Sequence, residues 1–358
     1  MKNWSWLLLI TLALLIRVAA TRPQWVESYY TQGIYPVLSS AQRYLLGWLP
    51  LSAGDWFYGA LLIIIVLKTS WFLRDLLQKK VNRTYLASGL QQLIFFFLFV
   101  YVFFNVGWGL NYNRKGIAQQ LSLSRDSISA EQVDTLAKLL LQRANTFRLQ
   151  EERGIRGQLK RKRNLFLAAH LSFDSATQQF PFLAFNTSSI KPSLYSYLGN
   201  YLGFQGYYNP FTGEGQVNTT IPIFLQPFVT THEMAHQVGY AKESEANFVG
   251  YLVCRNSPIK FFRYSAYLDM FLYANALLYQ LDSSLAIQNG KAIHPLVKQD
   301  IRTLHEFYQR YQSPVEEWIM VGYDYFLQAN QQPQGKRSYG QVTGWLLAWV
   351  KKEGWEAL

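Results

Sequence analysis

The sequence predicts an α+β chain, mostly helical, with about three N-terminal transmembrane helices (4–20, 56–73 and 85–108) followed by a mixed domain. Three observations carry this. Long apolar runs crowd residues 1–109, polar and charged residues return over 110–358, and one segment carries a histidine pair between Pro227, which can open a helix, and Gly239, which can end one. Composition agrees. Hydrophobic residues make up 50% of the 358 and aromatics 16%, while charged residues make up only 16%, below the usual quarter. A mean hydropathy of −0.03 is then the average of an apolar anchor and an ordinary polar domain.

The first apolar run, 4–20, is broken only by Arg17 and reads as a membrane helix with that arginine snorkelling. Its Val18-Ala19-Ala20 end also resembles a signal-peptide cleavage site, and a retained anchor is the favoured reading. Residues 21–54 form a connection whose Trp25, Tyr29, Tyr30, Tyr44 and Trp48 suit a membrane interface. The runs from Trp56 to Leu73 and from Tyr85 to Trp108 are each long enough to span a bilayer. Between them Arg74, Lys79, Lys80 and Arg83 face a single acid, Asp75, so the hinge is expected on the cytoplasmic side of the membrane. The domain after 109 then lies outside the cytoplasm. Arg17, Arg22 and Arg43 argue weakly for the reverse.

The net charge of +12 names a partner class. No nucleic-acid-binding motif accompanies it, so anionic headgroups of the lipid bilayer are the expected partner. The one cysteine, Cys254, excludes a disulfide framework and a cysteine-based metal site, and its apolar surroundings mark a buried, inert thiol.

Past residue 110, Ser129-Ala130-Glu131-Gln132 predicts a capping box that opens an amphipathic helix with Val133, Leu136, Leu139 and Leu140 on one stripe. The basic stretch 148–163, with Arg153, Arg156, Lys160, Arg161, Lys162 and Arg163, reads as a solvated or headgroup-facing surface. Residues 203–222 read as loop and short strands, with a possible strand at 216–221 leading into the histidine segment. Phe261 to Leu281 is apolar, but Arg263, Asp269, Asn275 and Gln280 recur through it, so a buried helix is expected rather than a span. His170 reads as a satisfied core residue, and His294 and His305 as surface or capping histidines. A tryptophan-rich amphipathic helix, Val342 to Trp355, closes the chain.

The chemistry-bearing stretch is His232-Glu233-Met234-Ala235-His236. On a helix, residues four apart leave one face a turn apart, so both imidazoles can converge on one Zn²⁺ at roughly 2.0–2.1 Å. Glu233 lies beside the ion, where it can take a proton from a water whose pKa the metal lowers. Pro227 suits the first turn of that helix and Gly239 its C-terminal cap. A catalytic zinc wants a third protein ligand and an open position. Glu243 and Glu245 both qualify. Glu243 is favoured, because Asn247 follows it by one turn of the next helix and can support a ligand histidine.

The residues Glu243-Ser244-Glu245-Ala246-Asn247 after the histidine motif resemble the gluzincin zinc peptidases, in which the glutamate is the third ligand and a residue four later, usually Asp, supports a histidine. Here that residue is Asn247, and the gap between ligands is short. The spacing up to Gly239 also echoes the metzincin pattern, without its third histidine. The whole chain resembles a bacterial membrane family catalogued as domain of unknown function 3810. The likeness lies in the hydrophobic N-terminal part, in 206–218, in the histidine motif with Ser244-Glu245-Ala246-Asn247-Phe248, and in 326–340. It implies a zincin-like metallopeptidase domain. It also implies an exposed strand edge beside the metal that pairs with extended peptide, and it makes Tyr339 a candidate donor to the oxyanion of the reaction.

The expectation is a membrane-anchored zinc metallopeptidase acting on a peptide or protein substrate, with His232, His236 and Glu243 holding the metal and Glu233 and Tyr339 catalytic. Rival readings are an intramembrane protease, a non-catalytic binding protein with structural or absent zinc, and a zinc amidase acting on a cell-wall linkage. Polar Gln226, Thr230, Thr231, Gln237 and Lys242 around the motif argue against the first, and Glu233 argues against the second.

Overall fold

The computed structural model describes residues 3–124, 127–185, 187–335 and 341–358. Two helices, Ala53–Leu77 and Arg83–Gly107, are long and apolar enough to cross a membrane. A third span is available if Trp4–Ala20 and Pro23–Leu46, bent by 101° where they meet, count as one. Both long helices begin at capped ends: Ser52 Oγ accepts from the Asp55 amide at 3.0 Å and Asn82 Oδ1 from the Tyr85 amide at 2.8 Å. The first helix packs along Arg83–Gly107, with the Trp6 and Phe95 rings 5.2 Å apart. At the end away from the hinge, Phe211 wedges between Phe57 and Phe103.

The 21–54 connection is more than an interface strap. It is helical over Val26–Ile34 (π-type) and Tyr35–Leu46. Tyr29, Tyr44 and Trp48 are exposed as an interface belt requires, whereas Tyr30 and Tyr35 turn inward. A small apolar cluster forms there, joining Leu9, Ile16, Val26, Tyr35, Val102 and Trp108 to Tyr208 and Ala241.

The larger core is built around the helix Lys260–Leu281, which is buried as expected: Phe262, Leu268 and Met270 are inaccessible. Burying each such side chain contributes about 1.5–3 kcal/mol. Ala130–Leu149 packs beside it, started by the Ser129–Gln132 capping box and presenting Val133, Leu136 and Leu140 inward. The tail helix Val342–Glu353 covers the far side of this core.

One correction concerns the basic stretch. Arg153, Lys160, Arg161, Lys162 and Arg163 are exposed, but Arg156 is drawn in. It pairs with Asp300 and Glu151 at 2.7 Å each, and Arg148 reaches Asp300 at 2.9 Å. Tyr264 donates to the same Asp300.

A three-stranded sheet lies against the histidine helix: β1 (Ile190–Pro192), β2 (Gly206–Asn209) and β3 (Glu214–Val217), in the order β1-β3-β2. β1 runs parallel to β3, and β2 runs antiparallel with Tyr207 opposite Gln216. The strand expected at 216–221 instead begins two residues earlier, ends at Val217 and lies in the middle of the sheet. β1 and β2 are its two edges, and β2 is the one whose Gly206 approaches Glu233. Asn218 N donates to Gln205 O at 2.9 Å, so by the antiparallel alternation Gly206 and Tyr208 turn their backbone groups outward. Glu214 ties β3 to the membrane helix: its carboxylate accepts from Gly54 N at 2.7 Å and Ala53 N at 3.3 Å, where a helix N-terminus favours negative charge.

Candidate metal centre

The motif helix runs Gln226–Gln237 with Pro227 in its first turn, and every residue of it is buried. It ends at Gly239, whose φ of 94° is the left-handed conformation that glycine takes without a Cβ penalty. Tyr240 N then reaches back to Ala235 O at 3.2 Å. The last carbonyls of a helix have no partner within it. Here side chains from the membrane-proximal segments supply them. Trp108 Nε1 donates to His236 O at 3.1 Å and Tyr35 Oη to Gln237 O at 2.9 Å. Arg43 also donates to Gln237 O, and Arg114 to Gly239 O at 3.1 Å. Both arginines lie where the helix dipole favours cations. Arg114 is itself held by Glu27 at 2.9 Å.

The tight turn after Gly239 brings in the next helix, Glu243–Arg255, and with it the third acid. His232 Nε2 and His236 Nε2 lie 3.1 Å apart. Glu243 Oε2 lies 3.2 Å from the first and 3.6 Å from the second. His236 Nδ1 sits 2.6 Å from Tyr240 O. A carbonyl only accepts, so Nδ1 carries a proton, and Nε2 is the nitrogen that faces the cluster. Among the described residues these three form a group able to hold a metal ion.

Glu245 does something else. It is buried and turned away, accepting from Ile117 N at 3.2 Å, and it packs so close to Gly116 that a Cβ there would fall 2.1 Å from its carboxylate. It is paired, not solvated. Asn247 faces His232, as expected from its place one turn past Glu243, and its side chain favours the charged form of that ring.

The electrostatics follow from burial and crowding. Burial lowers the His232 pKa, with Glu243 opposing and the neighbouring His236 reinforcing. Burial works against protonated His236 as well, but the Glu243 and Glu233 carboxylates outweigh it and lift His236 to about 9. Burial would raise Glu243, yet the two imidazoles hold it well below the usual carboxylate range. Glu233 is pushed up to about 8 by burial, with Glu243 adding to the rise and His236 opposing it. Its Oε2 has no hydrogen-bond partner. Gly206 of β2 comes so near that a Cβ would sit 2.6 Å from Glu233 Oε1.

Sequence reasoning missed Tyr323. It lies on the helix Pro314–Ala329 and donates its hydroxyl to Glu243 Oε1 at 2.9 Å, while Gln332 Oε1 accepts from Glu243 N at 3.0 Å. No local pattern links residues about 80 apart; the only signal was proximity to the 326–340 segment. Tyr339 lies outside the described residues. Two of the other histidines behave as expected: His294 caps Pro295–Tyr311 through Leu296 N, and His305 is exposed. His170 is satisfied by Ser188 but is half-buried at the edge of the core, where it was expected inside it. Cys254 is buried beside Thr231, and burial pushes its thiol up to about 12.

Fold and site together define a mostly helical, membrane-associated protein with a buried His-His-Glu cluster at the mouth of its apolar helices. The chain belongs to the family described as protein of unknown function DUF3810, whose model matches residues 30–347. That range takes in the two long apolar helices, the sheet and the cluster. No curated protein and no solved structure matches the chain.

Proposed function

We propose that this protein is a membrane-anchored zinc metallopeptidase whose domain faces the extracytoplasmic side of the bacterial inner membrane. The observation that carries the reading is the convergence of two imidazole nitrogens and one carboxylate oxygen at 3.1, 3.2 and 3.6 Å beside a buried acid. Bonds of 2.0–2.1 Å at tetrahedral angles put ligand atoms about 3.3 Å apart, so the spacing suits Zn²⁺. His232, His236 and Glu243 would hold the ion, with Tyr323 and Asn247 orienting two of them. A bound Zn²⁺ would supply Lewis acidity and make a water in its open position a stronger nucleophile.

Glu233 would take one proton from the attacking water as its oxygen adds to the peptide carbonyl carbon, and would return that proton to the nitrogen as the C–N bond breaks. The water's second proton stays with the products, so one amide and one water become a carboxylic acid and an amine, which exchange that proton to give carboxylate and ammonium. Gly206 on β2 lies beside Glu233, and the outward backbone groups of Gly206 and Tyr208 would pair with an extended substrate backbone. The orientation is supported by the hinge: Arg74, Lys79, Lys80 and Arg83 lie at the opposite end of the long helices from the contacts of Glu214 and Trp108 with the site side.

The test is a screen of peptide and muropeptide libraries with wild type against Glu233→Gln. Wild-type cleavage lost in a Glu233→Gln protein that keeps its metal supports the mechanism. Equal cleavage by both would remove Glu233 from it. Cleavage confined to muropeptides would turn the reading to a cell-wall amidase.

A further inference from the structure

The His-His-Glu cluster does not sit in a closed pocket. It lies at one end of a cavity of about 710 Å³ whose other end is walled by the membrane helices: Tyr58 from Ala53–Leu77, and Phe97, Val100, Tyr101 and Phe104 from Arg83–Gly107. These four recur every three or four residues and share one helix face with Trp108, whose ring stands 5.9 Å from that of His236. At ~1.5 Å per residue, the stripe from Phe97 to Trp108 descends about 16 Å. Half the hydrocarbon thickness of a bilayer is about 15 Å. The cavity thus extends from the cluster along the apolar helix for about half the hydrocarbon thickness of a bilayer.

Resting on the hydrolase reading above, we propose that the substrate is an acylated peptide, its acyl chain lying along Phe97, Val100, Tyr101 and Phe104 while its amide reaches Glu233 and the histidines. The volume selects the occupant. A transmembrane helix about 10 Å across would need about 1,250 Å³ over the same depth, more than the cavity holds. A single acyl chain is one methylene wide and fits. The opposite wall points the same way. Tyr323 and Phe326 of the helix Pro314–Ala329 line the cavity, while Trp318 is 81% and Tyr325 70% exposed on the same helix, with Val315 and Val321 beside them. The acids Glu316, Glu317 and Asp324 fall on the other face. An exposed apolar face of this kind belongs at a membrane interface, so lipid-facing surface brackets the cavity. Arg17 lines the rim, a cation placed to meet an anionic group where the chain enters.

The experiment uses full-length Glu233→Gln protein in nanodiscs of phosphatidylethanolamine and phosphatidylglycerol. It is photolabelled with a palmitoylated peptide carrying a diazirine on its acyl chain, and labels are mapped by mass spectrometry. Labels on 97–104, reduced about tenfold by Val100→Trp and unchanged by Phe99→Trp on the opposite helix face, support the proposal. Wild type is then expected to cleave the palmitoylated peptide with kcat/KM more than about tenfold above its unacylated counterpart, each buried methylene adding to the preference. Labels on 97–104 with no hydrolysis of any peptide would uphold the acyl site and sink the hydrolase reading. Labels elsewhere overturn the acyl site, as does equal cleavage with and without the chain. Equal labelling by a diazirine phospholipid that the lipopeptide does not displace would also overturn it, as bulk lipid occupying the cavity.

Discussion

The proton inventory of the cluster makes its own prediction. The Glu243 and Glu233 carboxylates favour the protonated form of His236 against burial, and a metal ion must displace that proton to use Nε2. Metal binding near pH 7 is therefore expected to release protons, read from calorimetry in buffers of different ionisation enthalpy. Affinity should fall steadily as pH drops. No proton release would mean that His236 is not a ligand. Tyr323 bears on the same group through its bond to Glu243, so Tyr323→Phe is expected to weaken metal affinity by about tenfold while leaving the fold intact. Unchanged affinity would show that the phenol merely packs there. Gly206→Ala would press a methyl onto Glu233 and is expected to lower hydrolysis without loss of metal.

The histidine motif, the helix caps at Ser129 and His294, and the two long apolar helices were legible in the sequence, because each is written in local spacing. The choice of Glu243 was legible for the same reason: Asn247 lies one turn away on the same helix. What was not legible came from partners far along the chain. Tyr35, Arg43, Trp108 and Arg114 satisfy the end of the motif helix across more than 120 residues, and nothing in their own neighbourhoods announces it. Strand order was equally silent, since the residues of 216–221 cannot say which neighbours a strand has, and β3 fell in the middle with β1 and β2 at the edges. At this scale Arg114→Ala is expected to cost about 3 kcal/mol, because it leaves Glu27 buried and unpaired and frees the Gly239 carbonyl. Chemical denaturation in detergent would measure it; a loss below about 0.5 kcal/mol would mean that water replaces the guanidinium.

Across the whole molecule, two apolar clusters are pinned together at the site, and the polar domain has its own anchor in Asp300. Burial alone would raise the Asp300 pKa, but Arg156, Tyr264 and Arg148 hold it below its ordinary 3.8. A depressed carboxylate stabilises the fold above its unfolded pKa, and that contribution fades as pH falls through the folded value. Wild type should therefore exceed Asp300→Asn in stability at neutral pH, and the gap should close below about pH 4. A gap independent of pH would assign the effect to packing. The same architecture gives the site its setting: the long apolar helices, the sheet and the motif helix meet there, held by Glu214 on Gly54 and Trp108 on His236. Whether His232, His236 and Glu243 hold zinc is decided by metal analysis of purified full-length proteins. About one zinc per chain is expected in wild type and Glu245→Gln, and essentially none in His236→Ala or Glu243→Ala. Zinc retained in Glu243→Ala, or absent from a correctly folded wild type supplied with it, would contradict the account.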